Sequence, residues 1–238
     1  MDDRCEGCLK IGQKAPDFSV LSTYGPISLS DYKGKWLILF SHPGDFTPVC
    51  TTEFIAFSKE YPEFVKRNTL LLGLSIDSNP SHLAWMENIR RTQGVTIPFP
   101  ILADRDGAIA RRYGMLSADE KNFATVRNVF IIDPEGIIRS ILVYPYTNGR
   151  NIPEILRLLD ALQLSSKENV VTPANWQPGE PVMVPAPQSY EELIKRGEDS
   201  ALRCVDWYLC FKQDTSTKPN KRPVNIDDLR LPPGPMDV

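Results

Sequence analysis

The chain has 238 residues, 42% hydrophobic and 24% charged, with 27 Lys and Arg against 30 Asp and Glu. This composition excludes a chain that is disordered throughout, and the formal net charge of -3 provides no basic field for binding nucleic acid. No apolar run approaches the roughly 20 residues that cross a bilayer, and the N-terminus lacks the basic and apolar regions of a signal peptide. We therefore expect a cytoplasmic protein that binds neither nucleic acid nor a membrane.

Short apolar runs alternate with helical patterns over residues 11–164. The runs are rich in branched and aromatic residues, as is typical of strands buried on both faces. They lie at residues 36–40, 70–76, 126–132 and 137–143. The last two flank the turn sequence Asp133-Pro134-Glu135-Gly136, which predicts a β-hairpin. The alternation as a whole predicts an α/β fold with a mixed sheet.

Three helices are predicted, two between these strands and one after the last of them. The first follows Cys50 as an apolar stripe at helical spacing, and Pro62 is expected to kink or break it. The second begins at Asn79 and ends at Gly94, because Pro favours the first turn of a helix and Gly the position past its end. The third covers about residues 151–162.

The composition changes in the C-terminal part of the chain. Five prolines in residues 172–187 predict an extended strap. Ser189 and Glu192 form a capping box that opens a short helix, with Gly197 past its end. A further helix is predicted over residues 201–212.

These patterns divide the chain into three parts. We expect a flexible N-terminal segment at residues 1–10, a core domain at 11–165, and a smaller C-terminal domain at 166–238. An arm that is joined to its core by a Pro-rich strap has little to pack on in a monomer. We therefore expect the C-terminal domain to pack on a second subunit.

The candidate reactive residue is Cys50, in the segment between the strand at 36–40 and the first helix. Thr47 is a good N-cap and Pro48 a good first residue, so Cys50 takes the third helical position. Free N–H groups and the helix dipole favour thiolate there, and thiolate is the nucleophilic form. Arg127 is the candidate partner cation. The alternative is an inert buried cysteine.

At this point the residues resemble a known family. Residues 43–50 (PGDFTPVC) closely resemble the peroxiredoxin signature Pro-x-x-x-Thr-x-x-Cys, and Arg127 stands where that family has its active-site arginine. Similar stretches lie at residues 15–18, 75–78 and 145–151. The long C-terminal extension is similar to that of the peroxiredoxin 6 type, 1-Cys-like subfamily, especially its archaeal-like members.

The resemblance implies a thioredoxin-like fold with a mixed central sheet and a smaller C-terminal extension. It also implies an antioxidant peroxidase that reduces hydrogen peroxide and small organic hydroperoxides through a sulfenic acid on Cys50, without a metal or organic cofactor. The expected partners are a thiol reductant, such as a thioredoxin-like protein, and a second copy of the chain. The expected assembly is a homodimer, with five dimers closed in a ring.

The same resemblance implies roles for the residues around Cys50. Thr47, Val49 and Arg127 would bind the peroxide, and Pro43 would shield the pocket. Glu53 and Arg150 would hold Arg127 in place. His42 would stand beside the reactive cysteine, although a solvated loop histidine is an equally simple interpretation.

A sulfenic acid has to be resolved by another thiol. On a helix, Cys204 and Cys210 would have α-carbons about 9–10 Å apart, beyond the roughly 7 Å limit for a disulfide. We therefore expect them not to pair with each other. The resemblance points to Cys210 of a partner subunit as the resolving thiol, with Cys204 in a secondary or shuffling role. The alternative is a 1-Cys mechanism that uses an external thiol.

Other functions are less compatible with the sequence. A disulfide oxidoreductase of the thioredoxin type needs a second Cys three positions after Cys50, and this residue is Glu53. A cysteine hydrolase would need a third group to activate Cys50 with His42. A redox-regulated chaperone is also possible in principle. Cys5 and Cys8 supply only two ligands, too few for a zinc site, and are interpreted as spare thiols.

Overall fold

The structure, a computed structural model, describes residues 9–117 and 124–214. The chain divides into two compact units, one that ends at Ile152 and one that begins at Pro153. Cys5, Cys8 and the tail after residue 214, for which predictions were made, lie outside the described residues. Within the described part of the chain, no helix is both long and apolar enough to span a membrane.

The first unit is built on a seven-stranded mixed sheet with the order β2-β1-β5-β4-β3-β6-β7. In chain order, its elements are β1 (Ser19–Ser22), β2 (Gly25–Ser28), a 3-10 helix (Leu29–Tyr32), β3 (Trp36–Ser41), α1 (Pro48–Lys66), β4 (Thr69–Ser75), α2 (Asn79–Gln93), β5 (Ile101–Ala103), α3 (Ala108–Arg112), β6 (Arg127–Ile132) and β7 (Ile138–Tyr144). Strands β3, β4 and β5 are parallel, whereas β6 runs antiparallel to both β3 and β7. The predicted mixed sheet is therefore confirmed.

Helix α1 packs on the central strands through aromatic side chains. The rings of Phe40 on β3 and Phe57 on α1 stack with centroids 4.3 Å apart. On β4, a Cβ added at Gly73 would lie 3.1 Å from Cζ of Phe54, so only glycine lets the helix approach this closely. Of the kink or break expected at Pro62, the break does not occur, because buried residues on both sides of it hold α1 in place: Tyr61, Phe64 and Val65.

Helix α2 and the β6–β7 hairpin follow the prediction closely. The N-cap of α2 is Ser78, and its C-cap Gly94 adopts a left-handed φ of 66°. In the hairpin turn, Oδ1 of Asp133 accepts hydrogen bonds from the backbone N–H groups of Glu135 and Ile137, at 3.0 and 2.8 Å. Local turn chemistry therefore decides both of these boundaries.

The second unit contains a helix, a small sheet and a short helix. Its elements are α4 (Ile152–Glu168, of which the first residue falls in the first unit), β8 (Val182–Met183), α5 (Tyr190–Glu198), β9 (Arg203–Asp206) and β10 (Leu209–Lys212). Because α4 groups with this unit, the division falls before the boundary expected at residue 165. The expected fold, a thioredoxin-like domain with a smaller C-terminal extension, is confirmed.

We expected the Pro-rich segment 172–187 to be an extended strap, but it is not continuously extended. It turns at Asn175 and Gly179, both with left-handed φ, and pairs briefly as β8. This turn buries Trp176, whose Nε1–H donates to the carbonyl of Glu180 at 3.0 Å. Trp176 lies in an apolar cluster with Ala161, Leu164, Val170 and Val182. A single large aromatic side chain thus outweighs the tendency of the prolines to stay extended.

Two further C-terminal predictions are wrong. Gly197 lies inside α5, which ends one residue later at Glu198. Residues 201–212 form the antiparallel hairpin β9–β10 and not a helix. Cys, Val and the aromatic residues favour strand over helix, and pairing with β8 completes a three-stranded sheet.

Candidate active site

Cys50 lies in the first turn of α1, just beyond the carboxyl end of β3. Its side chain is fully buried. The first N–H groups of a helix have no partner inside the helix, and the first intrahelical bond of α1 runs from the N–H of Thr51 to the carbonyl of Thr47. The N–H groups of Val49 and Cys50 therefore precede the hydrogen-bond ladder and are available to a ligand.

Arg127, the first residue of β6, contacts the sulfur of Cys50. Its Nη1 lies 3.4 Å from Sγ, and its Nε and Nη2 both donate to the carbonyl of Tyr146, at 3.0 and 2.9 Å. The guanidinium is almost completely buried. A fixed cation that donates to sulfur favours thiolate over thiol. The predicted pairing of these two residues is therefore present in the structure.

Glu53 joins Arg127 to a second buried arginine. Its Oε2 accepts from Nη1 of Arg127 at 2.6 Å and from Nη2 of Arg150 at 2.7 Å. Its Oε1 accepts from both the backbone N–H and Nε of Arg150, each at 2.8 Å. Glu53 sits one turn after Cys50 on the same face of α1, so the helix places the nucleophile and the anchor of its cation together.

Charge compensation governs this network. Burial alone would raise the pKa of Glu53, but Arg150 and Arg127 outweigh it and hold the pKa of Glu53 below its usual value. Burial lowers the pKa of Arg150, and Glu53 partly offsets this. One carboxylate between two guanidiniums leaves a net positive charge beside Cys50, which suits an anionic sulfur.

The loop before α1 contains the other residues predicted for the site. Thr47 is the N-cap residue, but its hydroxyl does not cap the helix; it donates to the carbonyl of Gly44 at 2.8 Å. The lone pairs of that hydroxyl stay available to accept from a ligand. Pro43 is buried and Val49 is half-buried. These residues belong to one continuous segment, which consists of the loop before α1 and the first turn of α1 up to Cys50.

His42 is fully buried and is not a solvated loop histidine. Its Nε2 lies 3.1 Å from Oδ1 of Asp45, and Asp45 in turn contacts His82. One ligand atom from each of these three residues lies within 4.8 Å of the others, so the cluster has the composition of a possible metal site. Inside the cluster, the Asp45 carboxylate already hydrogen-bonds to Nε2 of His42 and to Nδ1 of His82.

Cys204 and Cys210 form a disulfide, which corrects the expectation that they cannot pair. They are directly opposite each other on β9 and β10, with α-carbons 4.0 Å apart. The error followed from the helix predicted for residues 201–212, because spacing on a hairpin is unrelated to spacing on a helix. Cys204 is exposed, whereas Cys210 is fully buried.

Several residues of the site were not predicted. Asp45 and His82 form the cluster with His42, and the carbonyl of Tyr146 holds Arg127. The carbonyl of Ser41 accepts from Nη1 of Arg150 at 2.9 Å. Asp45 lies inside the recognised motif, so its position alone could have marked it, whereas the other contacts depend on strands and helices distant in the sequence.

Comparison with known proteins identifies the family. Residues 11–141 match the AhpC/TSA family, and residues 161–200 match the C-terminal domain of 1-Cys peroxiredoxin. Together with the sheet and the arginine-contacted cysteine, these matches define a peroxidase of thioredoxin-like fold. The chain belongs to the peroxiredoxin family, and its predicted membership is confirmed.

Individual relatives agree with this assignment. Peroxiredoxin 2 of Caldanaerobacter subterraneus is 60% identical over 208 residues, 87% of this chain and 94% of the relative. The structure is similar to peroxiredoxin 6 of Arenicola marina, with a TM-score of 0.79 and 36% identity over 88% of this chain and 100% of that one. It is also similar to a yeast mitochondrial 1-Cys peroxiredoxin, with a TM-score of 0.78 and 43% identity over 86% of this chain and 99% of the other. That yeast protein is described as resolving its thiol via glutathione/thioredoxin systems.

Proposed function

We propose that this peroxiredoxin reduces hydrogen peroxide and small organic hydroperoxides through a sulfenic acid on Cys50. The observation that carries the proposal is the 3.4 Å contact between Nη1 of Arg127 and Sγ of Cys50. It places a buried, hydrogen-bonded cation on the one cysteine of the described residues that is outside a disulfide. A buried cation is costly unless it has a partner, and a thiolate is such a partner.

In this reaction, the thiolate of Cys50 attacks one peroxide oxygen in line with the O–O bond. An S–O bond forms and the O–O bond breaks, and the departing oxygen takes up a proton to leave as water or an alcohol. The N–H groups of Val49 and Cys50, with Arg127, would donate to the oxygens as negative charge develops on them. Thr47 would accept from the hydroperoxide O–H, and Pro43 would keep water from the pocket.

Peroxide consumption by the full chain tests this function. We expect steady-state turnover of hydrogen peroxide and tert-butyl hydroperoxide with dithiothreitol as the electron donor. We expect no hydrolysis of p-nitrophenyl acetate, the reaction that a cysteine hydrolase would catalyse. Ester turnover without peroxide turnover would contradict the proposal.

Arg127→Lys should slow the oxidation of Cys50 about 100- to 1000-fold. Lysine keeps the charge, but its single ammonium cannot contact Cys50, Glu53 and the carbonyl of Tyr146 at the same time. The measurement is the stopped-flow rate of reaction with hydrogen peroxide. Arg139→Lys on β7 is the matched control, because the Arg139 side chain is 42% exposed and pairs only with Asp133 among the described residues. An unchanged rate in Arg127→Lys would remove Arg127 from the proposed role.

For resolution, we retain Cys210 of the partner subunit as the thiol that attacks the sulfenic acid. Its thiolate forms an S–S bond with Cys50, and the sulfenic oxygen leaves as water after protonation. Cys204 then attacks the sulfur of Cys210 and releases Cys50 as thiolate. This exchange yields the Cys204–Cys210 disulfide seen in the structure. A dithiol reductant would attack Cys204, because its sulfur belongs to the exposed residue of the pair.

Cys210→Ser should complete one rapid turnover with a thioredoxin-like dithiol protein and then stall. Cys204→Ser should instead accumulate an interchain Cys50–Cys210 disulfide, visible as a dimer on a non-reducing gel. A variant with both Cys5→Ser and Cys8→Ser is the control and should behave like the wild type. Sustained turnover by Cys210→Ser would favour the 1-Cys mechanism, with the sulfenic acid resolved by an external thiol. The homodimer, the ring of five dimers and the cytoplasmic location stay predictions.

A further inference from the structure

A buried chain of three side chains runs from the end of β3 to the first turn of α2. His42 directly follows β3, Asp45 lies in the loop before α1, and His82 lies on α2. The side chains of His42 and His82 are 0% exposed and that of Asp45 is 1% exposed. Asp45 is the central member: its Oδ1 is 3.1 Å from Nε2 of His42, and its Oδ2 is 2.8 Å from Nδ1 of His82.

The donors in this chain can be assigned from its acceptors. Nε2 of His82 lies 3.2 Å from the carbonyl oxygen of Leu102, which can only accept, so Nε2 carries a proton. Nδ1 of His82 faces the carboxylate of Asp45. An ionised carboxylate also only accepts, so this arrangement calls for a proton on Nδ1 as well. Both ring nitrogens of His82 therefore face acceptors, which is the arrangement that an imidazolium ion satisfies.

Asp45 is held in its ionised form by the same contacts. Burial by itself would raise the pKa of Asp45, but hydrogen bonds from His42 and His82 outweigh burial and hold it well below its usual value. Asp77 is a second acidic group close by, and its Oδ2 accepts from the backbone N–H of Asp45 at 3.0 Å. Asp77 therefore anchors the Asp45 backbone, while His82 contacts the Asp45 carboxylate.

The consequence for His42 is a single fixed tautomer. Its Nε2 donates to Asp45, and burial lowers the pKa of His42, so the ring is neutral and its Nδ1 carries a lone pair. Among the described residues, that Nδ1 has no hydrogen-bond partner. The ring stacks on Trp85 with centroids 5.2 Å apart and packs edge-on against Phe54, one helical turn after Cys50.

We propose that His82 is a positioning residue of the peroxidase site: as an imidazolium ion it keeps Asp45 ionised, and Asp45 fixes His42 with its Nδ1 lone pair unpartnered beside the Cys50 turn of α1. This inference deepens the function proposed for Cys50 and rests on it. It assigns roles to Asp45 and His82, which the motif alone did not provide. The buried base that results packs against Phe54, one helical turn after the proposed nucleophile.

Nitrogen NMR of the imidazoles tests the assignment directly. The chain has two histidines, so protein labelled with 15N-histidine gives two ring spin systems, which His82→Gln assigns. At neutral pH we expect His82 to show two protonated nitrogens and His42 to show one, at Nε2. A neutral His82 would overturn the proposal. One zinc ion per chain in the purified protein would also overturn it, because a metal in the cluster needs an unprotonated Nδ1 on His82.

His82→Gln tests the positioning role itself. Glutamine is uncharged, so we expect the 15N signals of His42 to change from those of a neutral ring protonated at Nε2. We also expect the oxidation of Cys50 to slow about 10- to 100-fold. The matched control is Glu87→Gln on the same helix, whose side chain is 56% exposed. Unchanged His42 signals and an unchanged rate in folded His82→Gln would refute positioning. If the variant does not fold, the wild-type spectrum still decides the protonation states, and it does so even if Cys50 proves not to be the nucleophile.

Discussion

Cys50→Ser is expected to reduce peroxide consumption to the uncatalysed rate, a loss of at least about 10⁶-fold for a typical enzyme. A serine hydroxyl stays protonated at neutral pH, so it offers neither a thiolate for Arg127 to contact nor a sulfur that peroxide can oxidise. The measurement is peroxide loss in the presence of dithiothreitol. Circular dichroism should show an unchanged fold, because the substitution is nearly isosteric.

The control for this variant keeps Cys50 and removes the other described cysteines. A protein with Cys204→Ser and Cys210→Ser should still consume about one equivalent of peroxide per chain, because it retains the proposed reactive sulfur. Dithiothreitol should sustain its turnover by reducing the sulfenic acid directly. If Cys50→Ser consumed peroxide at the wild-type rate, the reaction would have to occur at another residue.

Glu53→Gln is expected to lower the free energy of unfolding by about 3–5 kcal/mol, the usual cost of removing one partner from a buried ion pair. The variant leaves the guanidiniums of Arg127 and Arg150 buried without the carboxylate that both contact. Because Arg127 loses an anchor, we also expect peroxide turnover to fall. Urea unfolding at neutral pH measures the first effect.

The stability effect should also depend on pH, with a defined sign. The pKa of Glu53 is lower in the folded chain than its usual value, so its ionisation contributes stability above about pH 4.5. That contribution is lost as the pH falls through the folded-state pKa. The free energies of unfolding of wild type and Glu53→Gln should therefore converge in acid.

Glu63→Gln is the matched control on the same helix. The Glu63 side chain is 39% exposed and pairs with Lys66 and Arg67 at the surface. Its loss should cost less than about 1 kcal/mol, as is usual for surface ion pairs. A Glu53→Gln variant no less stable than Glu63→Gln would show that the buried network does not stabilise the fold.

The parts of the molecule that could be predicted are those set by neighbouring residues. Pro48 marks the start of α1, and Gly94 marks the end of α2, because the backbone preferences of Pro and Gly act over a few positions. The Asp133–Gly136 turn fixes the β6–β7 hairpin in the same way. Arg127 is the candidate cation for Cys50 because it begins an otherwise apolar strand, and the family resemblance supports this pairing across 77 positions.

The parts that could not be predicted are set by contacts between distant segments. The β9–β10 hairpin depends on pairing with β8, which no local pattern in residues 201–212 reveals. Burial of Trp176 turns a segment that its prolines predicted to be extended. His82 reaches Asp45 across 37 positions, and a lone histidine on a helix gives no sign of such a partner.

The central claim is that peroxide oxidises the sulfur of Cys50. Trapping the oxidised sulfur tests this claim most directly. The protein with Cys204→Ser and Cys210→Ser would receive one equivalent of hydrogen peroxide in the presence of dimedone, which reacts with sulfenic acids. Peptide mass spectrometry should then find one dimedone adduct per chain, on the peptide that contains Cys50. An adduct on Cys5 or Cys8, or peroxide consumed with Cys50 unmodified, would contradict the account.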